Sequence, residues 1–236
     1  MDDIALLDAS VGETPAQRNF EREIPSAVTT FKVSEGELPP DPKDFPYGGA
    51  VISGSQVSVY DEQSWIRDVE EWAKAAHEVG VPLLGVCWGH QLLARALGGE
   101  VADMGEYELG YQTVRRIEAS QLFNGVPRTF TAFETHTDAV VELPPDARVT
   151  ATNDVALQGF QIGRTFGVQF HPEYDLETAR WVIGNKDISG EHKQEVLATV
   201  TEANDAAAAQ ARKLFENFQR VVAGERVCRF NPAVVG

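Results

Sequence analysis

Early in the chain, short apolar runs rich in β-branched side chains alternate with stretches whose apolar positions recur every three to four residues. Residues 4–7 (Ile-Ala-Leu-Leu), 49–53 (Gly-Ala-Val-Ile-Ser) and 81–86 (Val-Pro-Leu-Leu-Gly-Val) read as buried strands. Between the last two, Trp65, Ile66, Val69, Trp72, Ala73, Ala76 and Val79 recur at helical spacing. Gly80 supplies the stop for that helix, and Pro82 prevents its continuation. Strand, helix and strand in this order predict a parallel sheet with right-handed crossovers.

The middle of the chain changes character. Residues 112–117, 129–133 and 139–143 read as strands separated by turns, and 155–161 and 165–170 continue the series across a hairpin break at Gly163-Arg164. From Leu176 the pattern is helical again, with Ala211, Leu214, Phe215 and Phe218 as an apolar set near the end and the alanines at 206–209 supplying helix propensity. The last residues, 226–236, carry no periodicity and read as a tail. The loop 36–48 holds four prolines but lies too near the N-terminus to divide two domains. With no internal repeat, residues 1–236 read as a single domain, with a core over 4–183 and a helical tail over 184–236. The expected fold class is α/β: a three-layer sandwich around a mostly parallel sheet, with a small antiparallel extension.

Composition narrows the function classes. The 236 residues are 43% hydrophobic and 24% charged, ordinary for a globular protein, which excludes fibrous and disordered readings. Net charge is −16, a field that repels phosphate backbones and anionic lipid, so neither nucleic acid nor a membrane surface is an expected partner. Of the 20 bases, 14 are Arg and 6 are Lys, and an acid-rich, Lys-poor surface matches proteins that work in high salt, with a merely acidic mesophilic protein as the other reading. The two cysteines, Cys87 and Cys228, make no disulfide framework and suit a reducing compartment. The N-terminus is acidic where a signal peptide would be basic, and no apolar run is long enough to span a bilayer, so a soluble, cytoplasmic protein is expected.

The chemistry is concentrated at residues 85–91, Gly-Val-Cys-Trp-Gly-His-Gln. An apolar strand runs into a Gly-x-Cys-x-Gly turn, and a helical pattern with Leu92, Leu93, Ala96 and Leu97 follows. This is a strand–nucleophile–helix elbow with Cys87 in the place of a hydrolase serine. Glycines flank the nucleophile because a turn that sharp leaves no room for side chains. The sulfur then sits at a helix N-terminus, where the dipole favours thiolate and free N–H groups can hold an oxyanion.

A thiol nucleophile needs a base, and five histidines compete. His77 reads as surface, and His192 lies among Glu191, Lys193 and Glu195 on a solvated face. His90, three residues past the cysteine, reads either as a pocket residue or as a half-buried helix residue. His136, in the polar loop Thr-His-Thr-Asp, reads either as structural or as close to substrate. His171 ends a strand and is followed by Pro172 and Glu173. The proline stiffens the turn, so Glu173 can reach back and fix the imidazole tautomer. Cys87, His171 and Glu173 thus form a nucleophile–base–orienter set.

The elbow, together with Phe170-His171-Pro172-Glu173 placed 84 residues beyond Cys87, resembles the class I glutamine amidotransferases, whose domain hydrolyses glutamine with a Cys-His-Glu triad. The resemblance covers residues 4–183 and implies a flavodoxin-like sandwich. It places residues 52–60 at the oxyanion loop, implying that the N–H groups of Ser55 and Trp88 hold the oxyanion and that Gly54, Gln91 and His136 contact substrate. Residues 107–114 and 135–138 look like the substrate-side loops of the GMP synthase-like group. Ser55 and Gln56 replace the second Gly and the Pro usual in the oxyanion loop, and the strand after Asp8 lacks the Gly-Gly-Gln signature of the GMP synthetase subunit.

The implied reaction is hydrolysis of the glutamine side-chain amide through a γ-glutamyl thioester, with ammonia passed to a separate ATP-dependent synthetase. No phosphate loop, ATP-pyrophosphatase motif, dinucleotide fingerprint or His-Glu-x-x-His occurs in the chain, so no cofactor and no metal are expected. Two other readings stand beside it: a γ-glutamyl peptide hydrolase using the same triad, and an inactive binding or regulatory module on the same fold.

Overall fold

The computed structural model describes residues 2–225; the tail expected over 226–236, with Cys228, lies outside them. Nine strands form one sheet in the order β2-β1-β3-β4-β9-β8-β7-β5-β6. They are β1 (Ile4–Leu7), β2 (Val28–Phe31), β3 (Gly49–Ile52), β4 (Leu83–Val86), β5 (Glu100–Arg116), β6 (Thr129–Glu142), β7 (Arg148–Thr152), β8 (Leu157–Ile162) and β9 (Thr165–Val168). The helices are α1 (Ala16–Glu23), α2 (Ser64–Glu78), α3 (Trp88–Ala96), α4 (Leu176–Asn185), α5 (Gly190–Ala198), α6 (Glu202–Ala208) and α7 (Lys213–Val222).

The half of the sheet from β2 to β9 is parallel. Strands β1, β3 and β4 are buried along their whole length because both faces are covered, which is why their sequences are unbroken apolar runs. Ile4, Leu6, Val51, Leu84 and Val86 face Phe20 of α1 and Leu214, Phe215 and Phe218 of α7. The alternate positions Ala5, Leu7, Ala50, Ile52 and Leu83 face the tryptophans of α2 and Leu92 and Leu93 of α3. This period-two partition makes the three layers.

Beyond β9 every pairing is antiparallel, beginning with the β8–β9 hairpin, whose turn uses Gly163 at φ +55°. The sheet is therefore mixed. Its antiparallel part is larger than the small extension expected, since β5 and β6 are 17 and 14 residues long. Runs read separately as 129–133 and 139–143 are one continuous strand, and β5 starts well before position 112. Polar residues at 134–138, read as a loop, lie within β6, and the ladder to β5 shifts register there between Asp103 and Glu108 before resuming. A third apolar cluster joins Leu109 and Phe133 of this ribbon to Ala179, Val182 and Ile183 of α4 and Val196 of α5.

The stretch beyond position 184 is not a free appendage. Helix α7 completes the core on one face, and its Gln219 donates to the main-chain carbonyl of Asp2 at 2.9 Å. No helix among the described residues is long and apolar enough to cross a membrane.

Candidate active site

The carboxyl ends of adjacent parallel strands are where a ligand crevice forms in a sheet of this kind. Strands β4 and β9 are such neighbours, with Val86 paired to Val168. The next residue on β4 is Cys87, whose N–H donates to the carbonyl of Val168 at 2.8 Å. Cys87 has φ 53° and ψ −107°, a conformation that non-glycine residues seldom adopt and that the surrounding backbone must enforce. Both flanking glycines are needed for that. A Cβ on Gly85 would lie 2.3 Å from the carbonyl oxygen of Gly89, and a Cβ on Gly89 would lie 2.3 Å from that of Ile52. The elbow is thus wedged between β3 and its own helix. Its sulfur is placed at the first turn of α3.

His171 lies three residues beyond Val168 and is held by its N–H donating to Phe133 of β6 at 2.9 Å. Its Nδ1 is 2.7 Å from Oε1 of Glu173, and its ring stacks on Tyr174 with centroids 4.1 Å apart. Among the described residues no well-aligned hydrogen bond engages its Nε2. His171 and Cys87 both line one cavity, and a Cβ on Gly54 would lie 3.0 Å from Cε1 of His171 and 3.7 Å from Cβ of Cys87. Burial opposes charge on His171, but the adjacent Glu173 carboxylate and Cys87 outweigh it and raise its pKa. Cys87 and His171 thus border one cavity, with Glu173 behind the imidazole on its Nδ1 side.

Two cavities meet at Cys87. One, of about 130 Å³, contains His171 and is walled by Phe20, Tyr174, Trp181 and Val182. The other, of about 360 Å³, is more polar and runs past Trp88, Gln91, Tyr107 and 135–138 to Lys186 and Asp187. Ser55 borders both cavities, and its Oγ is buried without a hydrogen-bond partner. The Trp88 N–H belongs to the first turn of α3, where no intrahelical acceptor exists. The loop carrying Gly54 and Ser55 is braced: Ser53 Oγ accepts from the N–H of Ala9 at 2.9 Å, and Ser58 and Tyr60 bond Asp138 at 2.6 and 2.8 Å.

The remaining expected contacts are less free than the sequence suggested. Gln91 borders the larger cavity, but its Nε2 is engaged by the carbonyl of Asp138 at 2.8 Å and by Gln169 at 3.1 Å. His136 borders it too, with Nδ1 at 2.9 Å from the carbonyl of Asp138 and Nε2 at 2.9 Å from Glu108. His90 does not line either cavity. It is fully buried behind the elbow, against Phe160 and Gly167, and burial lowers its pKa to about 3. His77, read as surface, is half-buried and pairs with Thr165 at 2.8 Å. His192 is exposed, 3.6 Å from Glu195.

Sequence reasoning noted Glu108 only within the run 107–114 and missed Glu134; these two buried carboxylates converge on His136. Glu134 shares the alternation of His136 along β6, so an i, i+2 pairing was the available signal. It also missed Lys186, whose ammonium sits 5.2 Å over the Tyr107 ring at the rim.

Residues 7–186 match the family model described as glutamine amidotransferase class-I. Among curated proteins, the GMP synthase [glutamine-hydrolyzing] of Aromatoleum aromaticum is 32% identical over 183 residues, covering 72% of this chain and 33% of that protein. The GMP synthase of Aeropyrum pernix is 40% identical over 127 residues, covering 53% of this chain and 24% of that protein. The chain thus spans a third or less of the length of these relatives. Among solved structures, a glutamine amidotransferase from Thermotoga maritima superposes with a TM-score of 0.76 at 24% identity, covering 91% of this chain and 97% of that one. One from Methylobacillus flagellatus gives 0.76 at 20% identity, covering 92% and 94%. At those identities the structures speak for the fold.

Proposed function

Since this chain belongs to the class I glutamine amidotransferase family, we propose that it hydrolyses the side-chain amide of glutamine through a γ-glutamyl thioester on Cys87. The observation that supports this most is the strained elbow at Cys87 on the same cavity as a His171 whose Nδ1 is held by Glu173. The Cys87 thiolate attacks the amide carbon, and the N–H groups of Ser55 and Trp88 receive the oxyanion. His171 donates its proton to the departing ammonia and then takes one from the water that cleaves the thioester. Because the proton donor lies in the smaller cavity, the leaving group occupies that side and the glutamyl portion the larger, polar one. Gly54, Gln91 and His136 then border the substrate, the latter two with their side chains already braced.

The curated relatives are two-function proteins by name and far longer, so ammonia released here is proposed to serve a separate ATP-dependent synthetase. A second reading has one observation in its favour. The His171-side cavity, with apolar walls from Phe20, Trp181 and Val182, has room for an amine larger than ammonia, as a γ-glutamyl peptide hydrolase requires.

The deciding experiment measures ammonia and glutamate released from L-glutamine, and glutamate from γ-glutamyl dipeptides, by the protein in molar KCl with Cys87→Ala as control. Equimolar release from glutamine that falls by at least about 10³-fold in the variant is the expected result. Turnover of dipeptides alone would replace the first reading with the second. Turnover unchanged by Cys87→Ala would overturn both.

A further inference from the structure

Apart from the proposed triad, the most unusual group of side chains is the cluster of Glu108 on β5 with Glu134 and His136 on β6. One ligand atom from each can be chosen so that all three lie within 4.8 Å of one another, and all three residues are buried. Nε2 of His136 is 2.9 Å from Oε2 of Glu108 and 3.3 Å from Oε2 of Glu134. A tetrahedral ion with bonds of about 2.0–2.2 Å places neighbouring ligand atoms roughly 3.3–3.6 Å apart, so the two His136 separations lie within a few tenths of an ångström of that spacing.

Two further observations point to a ligand rather than to a self-sufficient network. Glu134 is fully buried, and among the described residues its carboxylate oxygens have no well-aligned hydrogen-bond donor, only Nε2 of His136 at 3.3 Å from Oε2. Burial raises the pKa of Glu134 to about 7, because a carboxylate so enclosed is costly unless it is protonated or something positive meets it. The other observation concerns the imidazole. Nδ1 of His136 lies 2.9 Å from the main-chain carbonyl of Asp138, which can only accept, so Nδ1 carries the hydrogen. Without an ion, burial opposes charge on His136, but the two carboxylates outweigh it and raise its pKa, and its Nε2–H donates to them. An ion that displaces that proton meets the Nε2 lone pair instead, with the backbone carbonyl on Nδ1 orienting the ring as it does in metal-ligating histidines. Around this core Asn153 and Gln158 donate amide hydrogens to Glu108, fixing its orientation as outer-shell partners do.

We propose that Glu108, Glu134 and His136 bind one divalent transition-metal ion in the wall of the larger cavity. One imidazole and two carboxylates suit zinc, with manganese or cobalt as chemically competent substitutes. The ion neutralises the two carboxylates and ties β5 to β6 next to the irregular register between Asp103 and Glu108. A fourth coordination position is left for water from the cavity that His136 borders. The inference does not rest on the reaction proposed above, and its test does not read turnover.

The test uses the full chain stripped with a chelator, dialysed and then titrated with Zn²⁺ while bound metal and melting temperature are measured. About one ion per chain and a rise in melting temperature are expected. Glu134→Gln keeps the shape of the side chain but removes its charge, and retention should fall at least tenfold. Cys87→Ser should bind as the unaltered chain does. Cobalt(II) in place of zinc should give weak visible bands without an intense sulfur-to-cobalt charge-transfer band. No uptake and no thermal shift with zinc, manganese or cobalt would overturn the site. So would equal uptake by Glu134→Gln, or a charge-transfer band lost in Cys87→Ser, either of which places the ion elsewhere.

Discussion

Glu173 reaches the imidazole of His171 across only two positions because Pro172 constrains the turn between them. Its carboxylate favours the imidazolium, which must protonate the leaving group, so activity in this mechanism is lost as pH rises through the pKa of His171. Glu173→Gln removes the charge that raises that pKa. The basic limb of the kcat/KM profile should therefore move to lower pH, and kcat should fall by about 10²-fold or more. Steady-state rates from pH 6 to 10 check this, and a variant with an unmoved basic limb would remove Glu173 from its role. This pair was legible in the sequence because the turn is local. The histidines at 90 and 136 were left with two readings each, since which face of a helix or strand a polar residue presents depends on what packs there. For His90 that is Phe160 and Gly167, for His136 two carboxylates from different strands.

At the scale of elements, the strands with both faces covered were visible as continuous apolar runs, and α2 as a helical period ended by Gly80 at φ +84°. The elements that escaped notice are those with few buried positions. Helix α1 buries only Asn19 and Phe20, and β2 is an edge strand with no fully buried residue. The long ribbon of β5 and β6 was seen in pieces, because the middle of β6 is polar yet largely buried and the middle of β5 is polar and largely exposed. Helix α7 carries the clearest element-scale prediction. Phe218 is buried in the parallel-sheet core, edge-on to Phe166 with centroids 6.5 Å apart. Phe218→Ala should cost about 3–5 kcal/mol by cavity formation. Equilibrium urea unfolding checks it, and a loss under about 1 kcal/mol would show that α7 caps the sheet only loosely.

For the molecule as a whole, the −16 charge is a solution property rather than a fold determinant. Self-repulsion of that size is screened by salt, so the melting temperature should rise by several degrees between 0.1 and about 2 M KCl, each 1 kcal/mol being roughly 2–4 °C at this length. A flat or falling curve from differential scanning calorimetry would contradict an adaptation to high salt. The sequence by itself determined the layered α/β plan, the elbow and the His-Pro-Glu turn, because each is written in residues that are neighbours along the chain. Only the tertiary structure decided that β4 and β9 lie side by side, which brings Cys87 to His171 across 84 positions. It also decided that β5 and β6 gather two carboxylates around one imidazole. Strand order is set by which apolar faces bury one another, and that choice is made between distant segments, where no local pattern records it.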